Sequence, residues 1–332
     1  MAKNNFCTLF DTNYSAQGLA MYKSLKKHCK DFHLYIFAFD ETLPHILKKL
    51  HLKYATVIPL SEFEDEELLQ VKPTRTRGEY CWTCSSSTIL YCIEKYNLSQ
   101  CTYIDSDLFF FSDPSILIEE MNENEDVLIT SHRYTPEYDQ TATSGKYCVQ
   151  FMTFRNTDNG LRILRWWRNA CLEWCYNRLE DGKFGDQKYL DDWPKRFKGV
   201  HELNNLGGGV APWNMQQYEF YKNNSSIEGT ELDTHRNFNL IFFHFHGLRC
   251  YRKGLLREYR YTDYTLPRST RKTIYNSYLP HLILSHYRIK MIFPKANCSY
   301  DQRIEYPTYK RWFKEIFLRL KKKKKGYLYW IG

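Results

Sequence analysis

Apolar positions along the chain follow two rhythms. Short blocks rich in β-branched and aromatic residues recur at 6–10, 32–39, 55–59, 101–111, 126–131 and 147–154, as buried strands do. Between them lie stretches with helical spacing. Residues 13–27 read as a turn and then a helix with Leu19, Tyr22 and Leu25 near that spacing, and 43–51, 79–96 and 161–179 read as further helices. Strand followed by helix, repeated, predicts an α/β fold on a mainly parallel sheet. In such sheets ligands bind beyond the carboxyl ends of the strands. Chemistry is therefore expected just after the strand blocks.

Charge divides the chain. Residues 251–332 hold 20 Lys and Arg against 5 Asp and Glu, whereas residues 1–250 hold 27 against 33. This predicts two parts with different partners, a catalytic domain over 1–250 and a basic, mainly helical extension over 251–332. Within the extension, Tyr309, Trp312, Phe313, Ile316, Phe317 and Leu320 share one helix face, followed by the lysine run 321–325 and an aromatic end. A basic amphipathic helix with Trp and Tyr suits a membrane interface, each lysine adding about 1 kcal/mol near an anionic leaflet. The other reading is a helix packed on the catalytic domain under a solvated lysine run. No apolar run of about 18 residues and no signal peptide stand out, so the expected location is cytoplasmic, peripheral on the inner face of the membrane. No nucleic-acid-binding module is recognisable, and nucleic acid is not an expected partner. The eleven cysteines are scattered. Cys81 and Cys84 have C-x-x-C spacing but no second pair, which favours packing over metal or redox chemistry.

Four places carry candidate chemistry. Asp105 and Asp107 flank Ser106 inside the apolar block 101–111. Residues two apart on a strand share a side, and two carboxylates there suit a hard divalent cation, Mg²⁺ or Mn²⁺, with room for diphosphate oxygens. Downstream, His244 and His246 are also two apart, followed by Gly247, Arg249, Arg252 and Lys253. Imidazole is an acceptable Mn²⁺ ligand, glycine permits close backbone approach to a phosphate, and the cations neutralise one. Asp186-Gln187 can hydrogen-bond sugar hydroxyls, or Asp186 can cap a helix. Residues 205–214 contain three consecutive glycines and Trp213, a pliable loop with a sugar-stacking face or an ordinary mobile loop. No P-loop pattern is present, which argues against ATP hydrolysis.

In this order, the motifs resemble those of GT-A (Rossmann-like) glycosyltransferases, most closely family 8, the group of glycogenin and bacterial lipopolysaccharide sugar transferases. The resemblance spans residues 5–250. It implies that Asp105, Asp107 and His244 hold Mn²⁺ or Mg²⁺ on a nucleotide-diphosphate donor, with a UDP-sugar expected. It implies a nucleotide-base pocket at Asp11, Asn13 and Tyr14, with Tyr14 placed to stack on uracil. Arg75, Arg77, Ser106, Gly247 and Arg249 join the donor-binding set, Asp186 and Gln187 face the donor sugar and the reacting centre, and Gln150 lines the acceptor side. The implied acceptor is a glycan or lipid-linked molecule of surface polysaccharide synthesis, and the implied outcome is retention, with Asp186 as a base leaving inversion open. One departure stands out. Family 8 follows H-x-x-G with Lys-Pro-Trp, and here the stretch reads Leu248-Arg249-Cys250-Tyr251-Arg252. Two other functions are weighed: a non-catalytic sugar-nucleotide-binding protein of the same fold, and a sugar nucleotidyltransferase. The latter usually carries a glycine-rich, basic N-terminal loop, which residues 11–20 lack.

Overall fold

The strand blocks assemble into one central sheet. In the computed structural model, which describes residues 4–224, 226–253, 256–260, 263–296 and 328–331, the strands are β1 (Asn4–Phe10), β2 (Phe32–Ala38), β3 (Ala55–Pro59), β4 (Gln100–Ile104), β5 (Leu108–Phe110), β6 (Val127–Ser131), β7 (Tyr147–Arg155), β8 (Val200–Glu202), β9 (Tyr218–Asn223), β10 (Ser226–Glu231), β11 (Asn237–Asn239), β12 (Phe242–His244), β13 (Arg249–Lys253), β14 (Leu256–Arg260) and β15 (Leu328–Ile331). The sheet runs β3-β2-β1-β4-β7-β6-β8. Its strands are parallel except β7, which lies antiparallel between β4 and β6.

Both faces of the sheet are covered, which is why the strands read as nearly unbroken apolar runs. The pleat sorts their side chains into two cores. Phe6, Phe10, Leu34 and Ile36 face one, together with helices α1 (Ser15–His28) and α2 (Leu43–Leu50). Cys7, Leu9, Tyr35 and Phe37 face the other, against α3 (Arg77–Tyr96) and α4 (Asp158–Glu173). Helix α3 begins two residues earlier than the apolar spacing suggests. Thr76 and Glu79 form a reciprocal capping box there, satisfying two orphan amides. Helix α4 is capped by Thr157 and ends at Glu173, short of the predicted 179. Cys84 is buried in the second core as a small apolar residue, while Cys81 is half-buried.

The block 101–111 is not one strand. It breaks after Ile104, turns through Asp105-Ser106-Asp107, and resumes as β5, which leaves the central sheet and pairs antiparallel with β12. The C-terminal region is helical over Arg268–Ile292, where α5 (Asn276–Ile292) follows a wide helical turn. Helix α5 packs on α1, with Tyr278, Leu279 and Leu282 in the first core and Lys23 Nζ 3.4 Å from Ser285 Oγ. The region also contributes a small antiparallel sheet, β13-β14-β15. The aromatic end is thus engaged in strand pairing, with Trp330 opposite Arg257. The amphipathic face at 309–320 and the lysine run 321–325 lie outside the described residues. No helix among the described residues is long and apolar enough to cross a membrane.

Candidate active site

The pairing of β5 with β12 builds the centre of the site. Phe110, Phe109 and Leu108 lie opposite Phe242, Phe243 and His244. The Phe245 amide donates to the Asp107 carbonyl at 3.0 Å, and the Asp105 amide donates to the Gln150 carbonyl at 3.0 Å. One end of the acidic turn is therefore fixed to β7 and the other to β12. This puts His244 Nε2 at 3.1 Å from Asp107 Oδ1 and 3.6 Å from Asp105 Oδ2. The carboxylates converge through a tight turn rather than through the pleat of a continuous strand. Gln150, which the resemblance placed on the acceptor side, is fully buried, and its Oε1 accepts from His244 Nδ1 at 2.8 Å. It orients the ring so that Nε2 faces the carboxylates, the usual role of a partner behind a metal-binding histidine.

The charges share one small space. Burial opposes ionisation of His244, but the Asp107 carboxylate outweighs it by charge and hydrogen bond and holds the imidazole well above its ordinary value. Burial also pushes Asp105 up, to about 6; His244 pulls it down and Asp107 pushes it up further. Asp107 is held low in spite of burial, chiefly by His244. Two carboxylates against one imidazolium leave a deficit of positive charge, which a divalent cation would fill while displacing the His244 proton. Ligand atoms of Asp107, His244 and His246 all lie within 4.8 Å of one another, a group able to hold a metal ion. The donor set thus fits a cation.

Beside it opens a cavity of about 380 Å³ lined by Asp105, His244, Asp186, Gln187, Trp82 and Ser85, among others. Asp186 is 5% exposed. Burial raises its carboxyl to about 7; a hydrogen bond from Ser85 lowers it and the Asp105 charge raises it. It does not cap the short helix that follows, whose cap position falls at Gln187 and has no side-chain cap bond. Its backbone carbonyl accepts from Trp167 Nε1 at 2.9 Å, and Gln187 Nε2 donates to the Ser144 carbonyl at 2.9 Å. Trp82 and Ser85 are additions to the sequence reading. They sit three apart on α3, hence on one helix face, a signal that becomes usable only once the start of α3 is known to border the cavity.

The remaining candidates divide. Asp11 caps the turn after β1 by accepting from the Tyr14 amide, and Asn13 Nδ2 lies 3.3 Å from it. Tyr14 is half exposed, and its phenol is pushed up to about 12 by desolvation and then by Asp107 and Asp11, with Arg249 opposing. Ser106 is buried in the acidic turn. Gly247 has φ 69° with open space around it, so the backbone conformation, not crowding, is what favours glycine there. Arg77 is held by Asp11 at 2.8 Å and Asp40 at 3.5 Å. Arg75 stacks on Tyr176 and donates to the Leu172 carbonyl at 3.0 Å, and it is not among the cavity residues.

The glycine stretch is a packed support and not a mobile loop. Residues 206–214 are all buried. The Ile241 amide donates to the Gly207 carbonyl at 2.9 Å and the His244 amide to the Val210 carbonyl at 2.8 Å, so the stretch runs along the far side of β12. A side chain at Gly207 would meet the Asn239 carbonyl oxygen at 1.9 Å. Gly207→Ala is expected to destabilise the fold by about 1–3 kcal/mol, as overpacking does, and to weaken metal binding by displacing His244. Urea unfolding and Mn²⁺ titration of the variant check both. Trp213 is nearly buried, with its indole N–H donating to the His132 carbonyl at 3.0 Å. It forms a wall of the cavity with little face open for stacking on a sugar.

Comparison with known proteins agrees with this architecture. Among solved structures, the galactosyltransferase LgtC in complex with donor and acceptor sugar analogs superposes with a TM-score of 0.50 at 11% identity, covering 84% of this chain and 95% of LgtC. The fold is GT-A. No family model matches the chain. In sequence it is 31% identical to the uncharacterized protein YfnD of Bacillus subtilis (strain 168) over 304 residues, which cover 89% of this chain and 93% of YfnD. It is 32% identical to the uncharacterized protein YfnF of the same organism over 287 residues, which cover 84% of this chain and 92% of YfnF. Identity of that level, sustained along both relatives, makes this chain a member of the family of YfnD and YfnF.

Proposed function

We propose that the chain is a metal-dependent glycosyltransferase of the family 8 type. It moves a sugar from a nucleotide-diphosphate donor, with a UDP-sugar the first candidate, onto a glycan or lipid-linked acceptor in surface polysaccharide synthesis. The observation that carries the reading is the convergence of Asp105, Asp107 and His244 at the rim of a cavity that also holds Asp186 and Gln187, on a GT-A fold.

Asp105, Asp107 and His244 are the protein ligands in this reading. A bound Mn²⁺ or Mg²⁺ supplies Lewis-acid stabilisation of the charge that builds on the leaving diphosphate. Asp11, Asn13 and Tyr14 form the base side of the donor site, with Tyr14 offering its ring to the base. Ser106, Gly247 and Arg249 border the diphosphate. Arg249 takes the place of the lysine expected in family 8, and its guanidinium grips phosphate as a planar fork rather than a point charge. Arg77 acts indirectly, by holding Asp11 in place. Asp186 and Gln187 face the donor sugar. The family 8 resemblance supports retention of configuration. The basic region 251–332 is the proposed membrane-facing part, on the strength of its charge.

Calorimetric titration of UDP into the protein, with and without Mn²⁺, tests the donor site. Binding that requires Mn²⁺ supports it and justifies a screen of UDP-sugars. Absence of binding by UDP and equally by GDP, CMP and dTDP would overturn the transferase reading in favour of the non-catalytic one.

A further inference from the structure

The cation site has one group more than the proposed ligand set uses. His246 lies two residues beyond His244, in the turn after β12. Phe245, between them, is fixed on the opposite side. Its ring stacks on Tyr278 at 3.7 Å between centroids, and its amide is bound to the Asp107 carbonyl. With Phe245 held inward, both histidines face the cleft and line the cavity. Trp213 serves as a common wall for both rings, with centroids 5.4 Å from His244 and 5.5 Å from His246.

Ligand atoms of Asp107, His244 and His246 all lie within 4.8 Å of one another. Two ligands bound at about 2.0–2.2 Å to one ion lie at most about 4.4 Å apart, so small side-chain adjustments bring all three onto a single cation. Asp105 stands next to this group, reaching His244 at 3.6 Å.

We propose that His246 is a direct ligand of the cation beside Asp105, Asp107 and His244, and that the two imidazoles make this a site for Mn²⁺ or another borderline transition metal in preference to Mg²⁺. This deepens the reading of the site as a metal-dependent donor site and rests on it. Mg²⁺ demands oxygen ligands and an octahedral shell, whereas imidazole nitrogen favours the first-row transition metals. Two histidines and two carboxylates would leave two positions open on a six-coordinate ion. Two phosphate oxygens of a donor can fill them without displacing a protein ligand. The second histidine thus ties metal choice and donor geometry to one position in the chain.

Mn²⁺ is its own probe. The full-length protein is loaded with Mn²⁺ alone and examined by pulsed electron paramagnetic resonance, which detects nitrogen bonded to the ion. Two coordinated imidazole nitrogens are expected in the wild type and one in His246→Ala. Loss of an outer-shell partner alone costs a metal site about 10–100-fold in affinity, so the variant should bind Mn²⁺ at least about tenfold more weakly. Its affinity for Mg²⁺, read by competition, should change far less. His246 is exposed, so the variant is expected to fold. A single nitrogen in the wild type, or an unchanged ratio of Mn²⁺ to Mg²⁺ affinity in His246→Ala, would overturn the proposal and leave the three-ligand site standing. Mn²⁺ bound without any nitrogen, or not bound at all, would overturn both.

Discussion

Asp107→Ala is expected to lose at least about a thousandfold in sugar transfer, equivalent to roughly 4 kcal/mol of transition-state stabilisation, and to keep its fold. The loss follows from position. Asp107 has the closest carboxylate to His244 Nε2 and is the one acid within the tight group formed with His244 and His246. Its removal takes the strongest charge from the cation site. The fold should survive because the turn is held by main-chain bonds. The Phe245 amide reaches the carbonyl of residue 107, not its side chain, and the Asp105 amide remains on Gln150. Without Asp107, the His244 imidazole loses the charge that holds it protonated and becomes neutral. Asp105 then loses the His244 charge, the larger of the two charges acting on it, and burial holds its carboxyl protonated. The buried site therefore carries no stranded ion pair. Mn²⁺ titration, a transfer assay with the donor identified by screening, and a melting curve together check this. Transfer at a wild-type rate by a folded variant would remove the metal from the mechanism.

The same residues show what could be read without a structure and what could not. The α/β class was legible because strands covered on both faces leave unbroken apolar blocks, as at β1 and β2. Ala55–Pro59 also coincides with its block, although it is the edge strand and mostly half-buried. The reversed direction of β7 was not legible, since a strand's apolar pattern is the same in either direction. Nor was the break at Asp105. The apolar residues on both sides are all buried, so pattern alone joins two strands that belong to different sheets. The candidate ligands were legible as residue types at short spacing, but their meeting was not. It depends on pairing between β5 and β12, more than 130 residues apart in sequence. Supporting residues were the least legible. Gln150 acquires its role only from its place behind His244, and the glycines at 207–209 look like a flexible loop until the strand they brace is visible. Arg75 shows the same limit from the other side. A basic residue near a helix start resembles a phosphate ligand, but here its guanidinium is occupied by Tyr176 and a main-chain carbonyl.

Asp186→Asn should produce an enzyme that is less active and, at alkaline pH, more stable. The carboxyl is 5% exposed and held at about 7, against an ordinary value of 3.8, with burial the main cause. An acid whose pKa is raised by folding binds its proton more tightly in the native state than in the unfolded one. As pH rises from about 4 to about 7 the unfolded chain releases that proton freely and the native state does not, so native stability declines through that window and levels off above it. The total is on the order of a few kcal/mol. Asparagine keeps the shape and removes the ionisation, so the decline should flatten when unfolding is followed from pH 5 to pH 8 in the presence of a metal chelator. On the proposed function, the cost is offset because an ionised carboxylate beside the donor sugar would stabilise the positive charge that develops at the sugar carbon as the diphosphate leaves. Loss of that charge is expected to lower kcat by about 10²–10³-fold with little change in UDP affinity, since Asp186 lies outside the proposed metal and base contacts. A variant stabilised at pH 8 with kcat intact would mean that the buried acid serves neither binding nor turnover. A variant slowed and stabilised together would show that the fold retains a costly buried charge at the point where the reaction uses it.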